Sequence, residues 1–207
     1  MVAEKIAFVA LVLSLSSCAM VPERSEAEKL ERVSSSTEPV FTVHEEVYRS
    51  MKPGNGSIAI SLAEQRLTLR DENGRLAVET DCSTGIEGRE TPTGTFRIKD
   101  MIVDKRSNLY GQYVFKETGE VVVAKSWEVD EAPAGTEFRG TAMPYWMRLT
   151  WGGVGIHVGK FPRGQRSSFG CIRMPAAVQP LIYQKCDSGM AVRIRQGPAQ
   201  SALSSTR

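Results

Sequence analysis

The chain is poor in the residues that build metal and redox centres. Its 207 residues include two histidines, His44 and His157, and four cysteines, Cys18, Cys82, Cys171 and Cys186. No C-x-x-C spacing occurs and the two histidines lie far apart, so no zinc cluster and no metal or cofactor is expected. There is no Gly-rich phosphate loop opening a helix. No basic block stands out, and the formal net charge is only +2, which argues against nucleic acid as a partner. The apolar run Ile6–Leu15 falls well short of the roughly 20 residues a membrane-spanning helix needs.

What is present is ordinary for a globular protein. Hydrophobic residues make up 41% and charged residues 24%, enough for one domain with a real core. Eighteen glycines and ten prolines indicate a turn-rich chain. Ile6–Leu15 has the length of a signal-peptide core and is followed by Leu15-Ser16-Ser17-Cys18, which resembles a bacterial lipobox. Residues 1–17 are therefore expected to be a lipoprotein signal peptide, with lipid on Cys18. Cleavage after Ala19 or nearby, or an uncleaved anchor, are the alternatives. The expected location is exported and membrane-anchored, facing the periplasm or wall, on the outer membrane in a Gram-negative host.

Residues 18–55 read as a polar tether, within which Phe41, Val43, Val47 and Tyr48 are placed to dock on the domain as a short helix or strand. His44 sits among Glu45 and Glu46, the pattern of a solvated polar face. With Cys18 lipidated, three cysteines remain. Cys82 and Cys186 either pair, as export permits, or stand as small buried hydrophobes.

Residues 56–196 carry the domain and 197–207 a frayed tail. Alternation predicts strands at Ser57–Leu62, Gln65–Leu69 and Leu76–Thr80, with Asp71-Glu72-Asn73-Gly74 as a hairpin turn. Further strands are expected at Thr95–Val103, Tyr145–Thr150, Val154–Val158 and Met190–Ile194. A second hairpin joins Tyr113–Phe115 to Val121–Val123, the rest of Asp104–Gly140 reads as less regular, and Pro175–Gln184 reads as a helix begun by Pro175. The class is mainly β, a sandwich or partly open barrel with one or two short helices.

Trp151–Pro175 (W-G-G-V-G-I-H-V-G-K-F-P-R-G-Q-R-S-S-F-G-C-I-R-M-P) brings His157 and Cys171 onto two short segments joined by a Gly/Pro/Arg/Ser loop. A thiolate attacks carbonyls, and an imidazole can take the thiol proton. A backbone carbonyl suffices to orient the other ring nitrogen. Gly170 before Cys171 allows a sharp turn and close approach of a substrate. On this spacing alone, a structural cysteine and a satisfied histidine is the leading reading.

The surrounding residues change that. Gly155-Ile156-His157, then Ser168-Phe169-Gly170-Cys171-Ile172-Arg173, resembles the YkuD-type L,D-transpeptidase family. Its pattern is a His, a loop, then Ser-His-Gly-Cys, an apolar residue and Arg or Asn. Ser83-Thr84-Gly85 with Thr91-Pro92-Thr93-Gly94-Thr95-Phe96, and Met143–Leu149, look like further family signatures. The resemblance covers about Ser57 to Ile194. It implies a β-rich fold, peptidoglycan stem peptides as substrate, Cys171 as nucleophile and His157 as general base and acid. It further implies Gly170 and Cys171 as oxyanion-hole amides, with Arg173, Ser168 and Phe169 at the substrate. Trp146 and Trp151 either line a groove or pack in the core. Phe169 departs from the family, which has His there; a phenyl ring carries no proton.

The expected activity is acyl transfer through a Cys171 thioester to an amine on a second stem or a wall protein. Two alternatives stand beside it. One is a carboxypeptidase or amide hydrolase on the same substrate. The other is a lipidated peptidoglycan-binding protein of weakened turnover.

Overall fold

The computed structural model describes residues 38–198. Cys18, the signal segment and most of the tail lie outside them. Thirteen strands form three sheets among the described residues. The first sheet has the order β1-β4-β3-β2-β13-β5. Its strands are β1 (Phe41–Val43), β2 (Gly56–Ser61), β3 (Arg66–Asp71), β4 (Leu76–Asp81), β5 (Gly94–Arg97) and β13 (Ala191–Arg195). The second sheet is β12-β11-β10-β6, made from β6 (Met101–Ile102), β10 (Trp146–Arg148), β11 (Gly155–Val158) and β12 (Ile172–Met174). The third is β8-β7-β9, made from β7 (Arg106–Phe115), β8 (Val121–Val123) and β9 (Thr136–Ala142).

The first two sheets share one core. Ile58, Ile60, Leu67, Leu69, Val78, Val192 and Ile194 from the first cluster with Met147, Ile156, Ile172 and Met174 from the second. Burial on this scale removes apolar surface from water at about 25 cal/mol per Å2 and is the main force closing the sandwich. The expected β2–β3–β4 meander forms in register, with Ile60 opposite Leu67 and Leu69 opposite Val78. At its turn, Asp71 accepts from the backbone N–H groups of Asn73 and Arg75.

Three expectations are corrected. The strand foreseen over Thr95–Val103 is two strands in two sheets. Ile98, 1% exposed, is the crossing point: its N–H donates to Met190 O while Lys99 N–H donates to Arg148 O. The helix foreseen from Pro175 is α2 (Gln179–Lys185), α1 being Glu45–Ser50. Pro175 heads a turn, its carbonyl accepting from Val178 and Gln179. Pro180, in the first turn of α2, is what fixes the start, because proline fits the first turn and breaks a helix interior. The stretch Asp104–Gly140, expected to be less regular beyond its hairpin, holds the long β7, β9 and a 3-10 turn, Ser126–Glu128.

Two sequence alternatives are resolved. Cys82 and Cys186 are unpaired and buried, and burial pushes both thiols up, Cys186 to about 12. The segment Phe41–Ser50 is docked: β1 pairs with β4, and Val43, Val47 and Tyr48 pack against the core.

Candidate active site

Cys171 and His157 reach one cavity because their strands are neighbours. β11 and β12 run parallel, with Ile156 opposite Ile172 and His157 opposite Arg173. Cys171 is the residue just ahead of β12. Both side chains line one cavity of about 390 Å3.

The loop leading to Cys171 is fixed from behind by the upstream signature residues. Ser83 and Arg173 exchange two backbone hydrogen bonds, at 3.0 and 2.8 Å. Ser167 and Ser168 N–H both donate to Thr84 O, and Ile86 N–H donates to Ser168 O. Buried Thr91 bridges the two segments: its hydroxyl accepts from Gly85 N–H and donates to Gly170 O, each at 2.9 Å. Gly170 has φ of +107°, a conformation that a Cβ disfavours. The Ser-Thr-Gly and Thr-Pro-Thr-Gly stretches thus hold the backbone that presents the thiol.

His157 is 6% exposed and packs against Trp146, ring centroids 5.8 Å apart. Its Nδ1 lies 2.8 Å from Val158 O. A carbonyl only accepts, so Nδ1 carries the proton in the neutral ring and Nε2 keeps a free lone pair. This is the carbonyl-oriented imidazole expected from the sequence. Burial pushes the imidazole down to about 4; the Val158 bond opposes this and the nearby Arg173 charge adds to it. Burial pushes the Cys171 thiol up, while the Gly155 N–H and Arg173 pull it down. The resting pair is therefore neutral thiol and neutral imidazole. Cys171 Sγ also lies 3.5 Å from Gly153 O.

The remaining expected residues divide. Arg173 lines the cavity. Its Nη1 donates to Lys160 O and Ser167 Oγ at 3.3 and 3.4 Å, neutral partners that leave its charge without a carboxylate among the described residues. Gly159 makes room for it, since a Cβ there would come within 2.8 Å of the Arg173 side chain. Ser168 lines the cavity and also braces the loop. It is 1% exposed, its hydroxyl donating to Cys171 O and accepting from Gly170 N–H at 3.2 Å. That second bond engages one of the two amides expected at an oxyanion. Trp146 is buried and Trp151 is 73% exposed, so the first packs in the core and the second does not.

Phe169 does not lie loose at the cavity mouth. Its ring meets Tyr110 edge-on at 5.3 Å and Trp127 at 5.7 Å, and those two meet each other at 5.6 Å. Tyr110, Trp127, Met143 and Lys160 line the cavity and were missed in the sequence. Aromatic residues amid an otherwise polar stretch were the available signal.

The geometry can be set beside known proteins. The sequence matches the YkuD family, described as the L,D-transpeptidase catalytic domain, over residues 55–194. No curated protein matches it. Among solved structures, an L,D-transpeptidase from Mycobacterium smegmatis is 16% identical with a TM-score of 0.52, covering 69% of this chain and 59% of its own. A mutant L,D-transpeptidase from Enterococcus faecium is 23% identical with a TM-score of 0.50, covering 69% of this chain and 50% of its own. The L,D-transpeptidase from Stackebrandtia nassauensis is 17% identical with a TM-score of 0.49, and 62% of its chain is covered. The chain spans half to three-fifths of the length of these proteins. At such identities the likeness to the first two speaks for the fold, and the sequence match speaks for the family. The chain belongs to the YkuD family of L,D-transpeptidase catalytic domains.

Proposed function

We propose that this member of a family acting on peptidoglycan stem peptides is itself an acyl-transferase. The observation that carries the reading is one cavity holding the Cys171 thiol and a His157 ring whose Nδ1 is tied to Val158 O. Nε2 takes the thiol proton as Sγ bonds to a peptide carbonyl carbon at an L-centre of the stem. The carbonyl oxygen gains the electron pair, and the Cys171 amide is the donor proposed to face it. Collapse breaks the C–N bond, the imidazolium returns its proton to the departing D-residue amine, and a thioester remains. An acceptor amine on a second stem or a wall protein then attacks the thioester carbonyl and gives its proton to His157; the C–S bond breaks, and the departing thiolate takes that proton back as the thiol. Arg173 is proposed to pair with a substrate carboxylate, a reading supported by its place on the cavity lining. Water in place of the amine would make the same site a carboxypeptidase or amide hydrolase.

The test is incubation with a disaccharide tetrapeptide, read by mass spectrometry. The expected result is an adduct on Cys171 and a cross-linked dimer. Trimmed product alone favours the hydrolase, and binding without adduct favours a wall-binding protein, the second reading that Phe169 in place of the family histidine supports. Loss of all product in Cys171→Ser is expected, and full activity in that variant rejects the mechanism.

The lipobox-like run ending in Cys18 supports a lipid anchor at the membrane, on the periplasmic or wall side. Among the described residues no helix is long and apolar enough to cross a membrane. Cys18→Ala should move the protein from the membrane to the soluble fraction, and unchanged membrane association would sink the anchor.

A further inference from the structure

The third sheet is poorly anchored by ordinary core packing. Of its large hydrophobic residues only Val114 is fully buried, whereas Leu109, Phe115, Val121, Val122 and Phe138 are exposed. It forms a layer of its own, hydrogen-bonded within itself. Yet it roofs the cavity, supplying Ser107, Tyr110, Thr141 and Ala142, with Trp127 from the adjoining 3-10 turn.

Local chemistry aims two rings from this roof at the nucleophile loop. The β7–β9 register shifts between Arg106 and Gly111, and an irregularity of this kind re-aims side chains. Inside it, Ser107 Oγ accepts from Leu109 and Tyr110 N–H at 3.2 and 2.9 Å. Gly111 N–H donates to Ser126 Oγ at 3.2 Å, tying down the turn that carries Trp127. The strands close tightly here: a Cβ on Gly140 would sit 1.9 Å from Ser107 O. Tyr110 and Trp127 then meet Phe169, two residues before Cys171. Arg89 lies over the Phe169 ring, 5.7 Å from its centroid.

We infer that Phe169 is a positioning residue that clasps the β7–β9 roof over Cys171 through Tyr110 and Trp127, and so favours amines over water as acyl acceptors. The inference rests on the thioester reading above. An amine acceptor carries apolar surface that packs on the three rings; water does not. A phenyl ring closes the triad without offering a base to take the proton of an attacking water. Edge-to-face pairs of this kind contribute enough to matter, roughly 2- to 10-fold each in an equilibrium.

The test uses the full chain with disaccharide tetrapeptide, comparing dimer with hydrolysed tripeptide. Phe169→Ala, Tyr110→Ala and Trp127→Ala should each lower the dimer-to-tripeptide ratio by roughly 2- to 10-fold. Phe169→Tyr, which keeps the ring, should stay within about twofold of the parent. An unmoved ratio in all three alanine variants overturns the inference. A second readout needs no turnover: amide exchange over residues 106–115 and 136–142, and iodoacetamide labelling of Cys171 mapped by peptide mass. Phe169→Ala should speed both while strands 56–61 and 66–71 exchange as before. Unchanged roof exchange overturns the clasp. A parent chain that forms no adduct, with roof exchange still sensitive to Phe169, rejects the acyl-transfer reading and the acceptor preference, and leaves only the clasp standing.

Discussion

Burial acts on Cys171 and His157 in opposite senses, and the outcome fixes how the site responds to pH. The thiol is pushed up and the imidazole down to about 4, so in neutral solution neither is charged. A preformed thiolate–imidazolium pair would alkylate at a constant rate across the neutral range. Here the thiolate fraction should keep rising, roughly tenfold per pH unit, between the two ionisations. Iodoacetamide labelling of Cys171 from pH 5 to 9 reads this directly, and a plateau beginning below pH 7 would contradict it. Arg173 lowers the thiol, so Arg173→Gln should slow labelling at neutral pH. These residues were legible in the sequence because their chemistry is local: His157 and Cys171 are distinctive side chains bracketing one short loop. The partners of Phe169 were not legible, because Tyr110 and Trp127 reach it across the fold.

At the scale of elements, alternation identified the strands with regular apolar spacing and failed where burial follows no period. β2, β3 and β4 show regular apolar spacing and form nearly where expected. β9 is mostly exposed, and β7 mixes exposed, half-buried and buried residues without a period of two, so burial left no periodic imprint. The upstream signatures could be matched to a family, but their work could not be read from them. Thr91 joins Gly85 to Gly170, and that link between remote segments exists only in three dimensions. The break at Ile98 was hidden for a related reason: Thr95–Val103 is apolar enough for one strand, and only the competing claims of Met190 O and Arg148 O divide it. The nucleophile loop is thus held on one side by hydrogen bonds from 83–91 and on the other by aromatic contacts from the roof. The first brace is polar and fixed, and the second is apolar and thinly anchored. That asymmetry makes the roof side the one where substitutions should change acceptor choice without unfolding the loop.

For the whole molecule, the question is where the folded body begins. Sequence patterning put the domain boundary at residue 56, and the family match begins at residue 55. The structure ties the preceding segment into the body at several points. Val40 N–H donates to the Asp81 carboxylate at 2.8 Å, and Asp81 also pairs with Arg66 and Arg163. The Tyr48 hydroxyl donates to Leu181 O, and Lys185 Nζ donates to Met51 O. Met51 is 4% exposed, and Val43, Val47 and Tyr48 pack on the core. Burying side chains of this size contributes about 1.5–3 kcal/mol when complete. Partial burial of several such residues sums to on the order of 3–6 kcal/mol, a large share of the roughly 5–15 kcal/mol that a domain has in hand. A chain beginning at residue 56 should therefore melt roughly 10–20 °C below one beginning at residue 38. Losing this segment also uncovers the β4 edge that β1 occupies, so the shorter chain should associate on heating. Differential scanning calorimetry of the two chains, with light scattering through the transition, measures both effects. Equal melting temperatures would mean that the segment merely rests on the domain and serves as part of the tether.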